Sequence, residues 1–336
     1  MVRVNPKYKN RRRPDWGITP SEMANKMTSG RFMKEQREKK SKAKRTKLFH
    51  NIRRVDRCFE GESKIFYDKL GFKKMMNENN ILTPKTYAIV DRKKRLEKFW
   101  DEVKELDTFV LKPDRMSEGR GIRVLEKTDN PEIWREMNGD NISVDTIHKE
   151  IIGHLNRMTN NRRVRGDRNK VFAEERIFVH KSLKDFSIYN GIVDFRVYVM
   201  IDQKFKKKEV LYAKMRCPNK ESGGMGNTAK GATALFIDVD GVVKDSDIFN
   251  NVTTKYKKTN YSGVKMPMWD KVKERAEEVG ALFKSPFHSV DMTVNEDGEV
   301  VVIESEKIPL LRYFMDAEAE RITNRIINFA EEVLWK

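Results

Sequence analysis

Phe109-Val110-Leu111-Lys112-Pro113, running on into Ser117-Glu118-Gly119-Arg120-Gly121-Ile122-Arg123-Val124-Leu125, says most about the architecture of this chain. An apolar run carrying one lysine gives way to a short loop with two glycines, and a second apolar run follows. A strand, a loop and a returning strand set one cation and several backbone N–H groups at the same spot. Glycine lets the backbone approach an anion closely, and amides together with a lysine neutralise phosphate charge. Lys112 interrupts an apolar strand, and a lysine buried in that way needs a partner.

A matching acidic motif lies near the other end of the chain. Ser289-Val290-Asp291-Met292-Thr293-Val294 leads through Asn295-Glu296-Asp297-Gly298 into Glu299-Val300-Val301-Val302-Ile303-Glu304-Ser305-Glu306. The turn chemistry and the alternating apolar residues predict a β-hairpin. Period-two geometry places Glu304 and Glu306 on one face of their strand, where Asp291 of the first strand can converge with them. Three carboxylates facing a phosphate loop suit Mg²⁺, which prefers carboxylates plus nucleotide oxygens.

At 336 residues the chain can bury one large or two medium cores. Charged residues make up 36% against 38% hydrophobic, which predicts a soluble protein. No apolar run approaches the ~20 residues needed to cross a bilayer, and the basic, polar N-terminus does not read as a secretory signal. Cys58 and Cys217 are the only cysteines, and they form no CxxC pair. That points to a reducing, cytoplasmic setting and away from a disulfide framework or structural zinc. The five histidines are scattered, and His148 and His154 read as structural. The net charge of +18 is concentrated at one end: residues 1–57 hold 19 Lys/Arg against 5 Asp/Glu. The rest of the chain is nearly balanced, so the basic character belongs to an appendage.

Along the chain, 1–19 is irregular. Thr19-Pro20-Ser21-Glu22 starts a helix that continues through the densely charged 34–47. A short helix is expected from Asp68 to near Asn79-Asn80, and further helices over 95–106, 144–158, 269–283 and 317–335. Strands are expected over 86–90, 108–112, 171–179, 193–201, 209–215 and 233–239. The polar loops 159–170 and 218–231, the second with four glycines, read as functional connections.

This order of motifs resembles the ATP-grasp superfamily over roughly residues 62–312, closest to its sugar-transfer-associated, α-L-glutamate-ligase-like group. The likeness is carried in order by Asp68-Lys69, Thr83-Pro84-Lys85-Thr86-Tyr87, Phe109 through Leu125, Asn138-Gly139-Asp140-Asn141-Ile142-Ser143, Glu174-Glu175-Arg176-Ile177, Asp194-Phe195-Arg196-Val197, the run from Asn227 to Ala232, and Asp291 with Glu304-Ser305-Glu306. It implies an α+β ATP-grasp fold: a basic helical extension over 1–61, a first subdomain over 62–175 and a second over 176–336.

The resemblance also implies roles. Lys69 and Lys112 would bind phosphate oxygens of ATP. Ser117, Glu118, Gly119, Arg120, Gly121 and Ile122 would fold over the triphosphate as a lid. Backbone groups of Glu174, Glu175, Arg176 and Ile177 would read the adenine edge. Asp291, Glu304 and Glu306 would hold one or two Mg²⁺ ions, for which Mn²⁺ can substitute. Arg196 and Arg216 would face the transferred phosphate and a carboxylate substrate, with Asn227 and Lys230 approaching the same place. The residues leave an alternative for the two arginines, an interstrand salt bridge with Asp194 or Glu209.

Three positions depart from the family pattern: Glu306 stands where asparagine is usual, Asn227-Thr228-Ala229 replaces Asn-Leu-His, and Ile308-Pro309-Leu310 replaces Arg-Pro-Gly. They leave ATP and Mg²⁺ expected and the second substrate open. The implied reaction joins a carboxylate to an amine through an acyl phosphate, as in adding glutamate to a larger acceptor. The alternatives are a kinase acting on a polyanionic small molecule and a non-catalytic nucleic-acid or scaffold protein. The basic arm suits a polyanionic or macromolecular partner; a solvated tail or a helix packed in a homo-oligomer is the other reading.

Overall fold

The computed structural model describes residues 65–116, 119–156, 169–186, 191–202, 207–219, 222, 224–226, 231–244, 261–283 and 287–306. The expected N-terminal extension, the 317–335 helix and the site candidates Ser117, Glu118, Asn227 and Lys230 lie outside them. Six short strands make the first sheet: β1 Thr86–Val90, β2 Thr108–Pro113, β3 Arg123–Lys127, β4 Ile133–Glu136, β5 Asn141–Ser143 and β6 Val171–Glu174. Its spatial order is β1-β6-β2-β3-β4-β5, antiparallel throughout. The second sheet contains β7 Asp194–Asp202, β8 Lys207–Cys217, β9 Thr233–Ile237, β10 Val243–Lys244, β11 Phe287–Val294 and β12 Val300–Glu306. Here the order is β10-β9-β8-β7-β11-β12, again antiparallel.

Among the described residues four α-helices complete the α+β architecture: α1 Lys69–Glu78, α2 Leu96–Val103, α3 Val144–Asn156 and α4 Trp269–Ala281. The side chain of Asp68 caps α1 by accepting from the Gly71 N–H at 2.8 Å. One core forms where α2 and α3 lay Phe99, Val103, Ile147 and Ile151 against Phe109, Leu111 and Leu125 of the first sheet. The other forms where Val272, Ala276 and Val279 of α4 meet Phe195, Val197, Ala213, Val290 and Met292. α1 precedes the first sheet in the chain, yet its Phe72 and Met76 join the second core.

The hairpin forms as the sequence predicts. Asp291 lies opposite Glu304 in the register, Gly298 takes φ +79, and the Asn295 side chain accepts from the Glu299 N–H at 2.8 Å. Three strands escape sequence reasoning, β4, β5 and β10, because four, three and two residues are too few to display alternation. The strand expected over 171–179 ends at Glu174. There the chain turns away and the Glu175 N–H bonds to the Lys85 carbonyl at 2.8 Å.

Candidate active site

Alternation along the second sheet sorts its residues into two faces. Phe195, Val197, Ala213, Met215, Val290 and Met292 point into the core under α4. Asp194, Arg196, Lys214, Arg216 and Asp291 belong to the opposite face, and a bulge in the β11–β12 register brings Glu304 and Glu306 to it. Asp194, Arg196, Arg216, Asp291 and Glu306 are joined by ion pairs. Arg196 grips Asp291 as a fork, Nε to Oδ1 and Nη2 to Oδ2, both at 2.8 Å. Its remaining Nη1 reaches Glu306 Oε2 at 2.8 Å. Arg216 donates to both oxygens of Asp194 and, through Nη2, to Asp291 Oδ2 at 2.7 Å. From α1, Lys69 Nζ lies 2.6 Å from Glu304 Oε2.

The salt-bridge alternative holds for Arg216, whose partner across the strands is Asp194. Arg196 also makes ion pairs, but with Asp291 and Glu306. Two-point pairing of this kind is what a planar guanidinium does best.

The first sheet contributes a smaller cluster. Glu174 of β6 is buried with its two carboxylate oxygens divided between two lysines: Oε2 accepts from Lys73 of α1 at 2.7 Å and Oε1 from Lys112 of β2. Asp114, directly after β2, accepts the Leu70 N–H at 3.1 Å and so ties the start of α1 to the end of the lysine strand. Gly119 and Gly121 take φ +66 and +74. A Cβ at Gly121 would come within 2.6 Å of the His154 ring, so only glycine fits there. Arg123, at the root of the loop, is anchored by Glu136 and Glu150. Arg120 is exposed and Ile122 half-buried beside it. Glu175 accepts the Lys85 N–H at 3.0 Å, and Arg176 pairs with Glu126 and stacks 4.8 Å over the Phe178 ring. The Glu175 amide is thus used inside the protein, on the Lys85 carbonyl. His148 packs edge-on against Trp100 at 5.0 Å, a structural role as expected.

These contacts set the ionisation of the site. Burial pushes Asp291 up, but Arg196 and Arg216 outweigh it and hold the carboxyl well below the usual range. Asp194 moves the other way, to about 6, because burial outweighs Arg216 and Asp291 repels it. Burial favours the neutral form of Glu304, and Lys69 overturns that preference. Glu306 lies above its ordinary value through burial, against the pull of Arg196. Lys214, opposite Arg196 in the register and two residues before Arg216, is pushed down to about 7 by burial and by those two positive charges.

A family profile described as sugar-transfer-associated ATP-grasp matches residues 56–331. The chain belongs to this family. Among curated proteins none matches it. Solved structures with a similar chain path include the VanG D-Ala:D-Ser ligase of Enterococcus faecalis, at 16% identity, 79% of this chain, 62% of that one and a TM-score of 0.44. D-alanine–D-alanine ligase of Helicobacter pylori gives 15%, 78%, 60% and 0.45. An L-amino acid ligase of Bacillus licheniformis gives 13%, 73%, 43% and 0.43. The family member described here spans about three fifths of the length of the first two. No helix among its described residues is long and apolar enough to cross a membrane.

Among the described residues no three His, Cys, Asp or Glu side chains are gathered into a ready-made metal cage. The donor chemistry nonetheless fits Mg²⁺. That ion is usually held by one or two carboxylates plus substrate phosphates rather than by an all-protein cage. Cations already sit on the acids, Lys69 on Glu304 and Arg196 on Glu306, which marks these oxygens as a place for positive charge. Asp291 is the least available of the three, with both oxygens taken by arginine. Three members of the site escaped sequence reasoning: Lys73, Asp114 and Lys214. Only Lys73 left a signal, lying one helical turn beyond Lys69 on the same face of α1.

Proposed function

We propose that the protein is an ATP-dependent carboxylate–amine ligase that forms an amide through an acyl phosphate. The observation that carries this reading is Lys69 Nζ at 2.6 Å from Glu304 Oε2, where a lysine of α1 meets the acidic hairpin near the other end of the chain. Lys69 and Lys112 bind phosphate oxygens of ATP, as compact point charges suit, and the loop from Ser117 to Ile122 covers them. Backbone groups at Arg176 and Ile177 hold the adenine. Glu304 and Glu306, with Asp291 behind them, would hold Mg²⁺, which supplies charge neutralisation of the triphosphate when bound. Arg196 and Arg216 keep a fixed positive field where charge builds up during transfer, and Asn227 and Lys230, outside the described residues, are assigned the same task.

In the reaction a carboxylate oxygen of the first substrate attacks the γ-phosphorus, the bond to the bridging oxygen breaks, and ADP leaves. The nitrogen of the second substrate then attacks the carbonyl carbon of the acyl phosphate. Phosphate departs with the electron pair of the broken C–O bond, and the nitrogen loses its proton to solvent. The protein's own task is alignment and charge neutralisation, and no enzyme nucleophile takes part. In keeping with this, Cys217 is buried and burial raises its thiol pKa. An amino acid such as glutamate is a fitting carboxylate, and the positive segment 1–57 favours a polyanionic acceptor, whose binding would weaken steeply with salt.

The test supplies the full chain with ATP, Mg²⁺, a panel of amino and dicarboxylic acids, and hydroxylamine as the amine, following ADP release and hydroxamate mass. ADP release that requires a carboxylate and yields its hydroxamate is the expected result. A stable phosphorylated product without hydroxamate would make the protein a kinase, and no Mg²⁺-dependent turnover with any acid would sink the enzyme reading.

A further inference from the structure

Both lysines assigned to phosphate are bound to carboxylates in this structure, and the two carboxylates are not alike. Glu304 has a side chain 31% exposed and lies among other acids, so water or a metal can replace Lys69 when that lysine turns to a phosphate. Glu174 has a side chain 4% exposed and sits in the heart of the first sheet, opposite Val110 and Thr86 in the register. If Lys112 left it alone there, a buried, uncompensated anion would remain, a state that costs far more than an exposed one. Lys73 prevents this. Its Nζ lies 2.7 Å from Glu174 Oε2, the oxygen Lys112 does not use, and its own side chain is 6% exposed.

We propose that Lys73 is a positioning residue that keeps Glu174 neutralised while Lys112 moves from that carboxylate to a phosphate of the bound nucleotide. The charges agree with this division. Glu174 stays ionised because Lys112 and Lys73 together outweigh its burial. Lys73 lies below the ordinary lysine value because burial outweighs its half share of Glu174 and Lys112 repels it. Departure of Lys112 removes the repulsion and gives Lys73 the whole carboxylate, so the exchange replaces a crowded trio with a matched pair. Placement on α1 couples it further. Lys69 and Lys73 are one turn apart on the same helix, which Asp114 holds at Leu70.

The inference rests on the reading of Lys112 as a phosphate ligand, and its test separates the two. Binding of Mg·ADP and of the imido analogue of ATP to the full chain is measured by calorimetry for the native protein and for Lys73→Met, Lys73→Arg, Glu174→Gln and the Lys73→Met/Glu174→Gln pair. Lys73→Met is expected to weaken both nucleotides by about tenfold or more, because Lys112 becomes the sole counter-ion of Glu174. Lys73→Arg stays near the native affinity. The double variant recovers to within about threefold of it, since no buried anion then holds Lys112 back. Glu174→Gln alone binds as well as the native chain or better, which keeps the test open if Lys73→Met does not fold. A Lys73 that merely pinned α1 would give a double variant as weak as Lys73→Met and a weakened Glu174→Gln; either result overturns the proposal, as does Lys73→Met binding like the native chain. Failure of the native protein to bind either nucleotide would overturn the phosphate role of Lys112 and this inference with it.

Discussion

The lysine cluster on the first sheet and the arginine cluster on the second are both ion-pair networks with buried acids, and they are built from different cations. Glu174 is held by two ammonium groups, each a single movable point charge on a flexible stem. Asp291 is held by two guanidinium groups, one of them a two-point fork that fixes distance and plane together. Lysine can leave one oxygen for another at little geometric cost, whereas a forked arginine must break two bonds at once. The first sheet is therefore arranged to let go of its cation and the second to keep its cations in place.

The largest effect that tests this contrast is on turnover. Lys112→Met is expected to lower ATP turnover by about 10²–10³ or more, the usual loss for one group stabilising transfer charge. Its unfolding midpoint in urea should barely move, because Lys73 remains on Glu174. Full ADP release by this variant in the hydroxamate assay would remove Lys112 from the site. Asp291→Asn probes the opposite side. It strips Arg196 and Arg216 of their shared acid, and breaking a buried network of this kind costs about 3–5 kcal/mol of stability. A loss below about 1 kcal/mol in equilibrium unfolding would mean that the arginines are not anchored there.

Lys214 sharpens the comparison through pH. Its ordinary value is 10.5 and its folded value about 7, so below pH 7 both folded and unfolded chains carry the proton and the folded chain bears the full cost of burying it. Between pH 7 and 10.5 the unfolded chain binds a proton that the folded one has released. Stability owed to this residue therefore climbs with pH across that window, by at most ~1.4 kcal/mol per unit. Burial sets it first, Arg196 and Arg216 add to the lowering and Glu306 opposes them, while Nζ lies 5.5 Å from the centre of the Tyr198 ring. Lys214→Met should flatten this slope, read as urea midpoints at pH 7 and pH 9, and an unchanged slope would refute the lowered value. The smallest effect belongs to the exposed pair Lys74–Glu78 on the solvent side of α1, 3.7 Å apart. Glu78→Ala should cost no more than about 0.5 kcal/mol, the value of a solvated helical pair.

Much of this was legible beforehand for particular reasons. The hairpin of β11 and β12 announced itself because alternation and an Asn…Gly turn are both local, and Asp291 lies opposite Glu304 as the pattern requires. Strand β1 and the start of α1 at Asp68 were equally local. Lys112 was conspicuous because a lone charge in an apolar run is out of place. Lys73 was not, since a lysine in the polar run Lys73-Lys74 looks solvated, and Lys74 indeed is. What separates the two is Glu174, a hundred residues away, which reaches Lys73 only because β6 is threaded between β1 and β2. Lys214 was hidden in the same way, its pKa set by Arg196 of the neighbouring strand and by burial rather than by anything adjacent in the chain.

Taken alone, the order of residues determined the elements and the inventory of charge: which strands alternate, where glycine must turn the chain, and which lysines and acids interrupt apolar runs. Folding in three dimensions decided how those charges are matched. It gave two lysines to Glu174, two arginines to Asp291 and Lys69 to Glu304. The reason is physical. Propensity and periodicity act over a few neighbouring residues, whereas the energy of a buried charge depends on whichever distant group the packing of the sheets brings within about 3 Å.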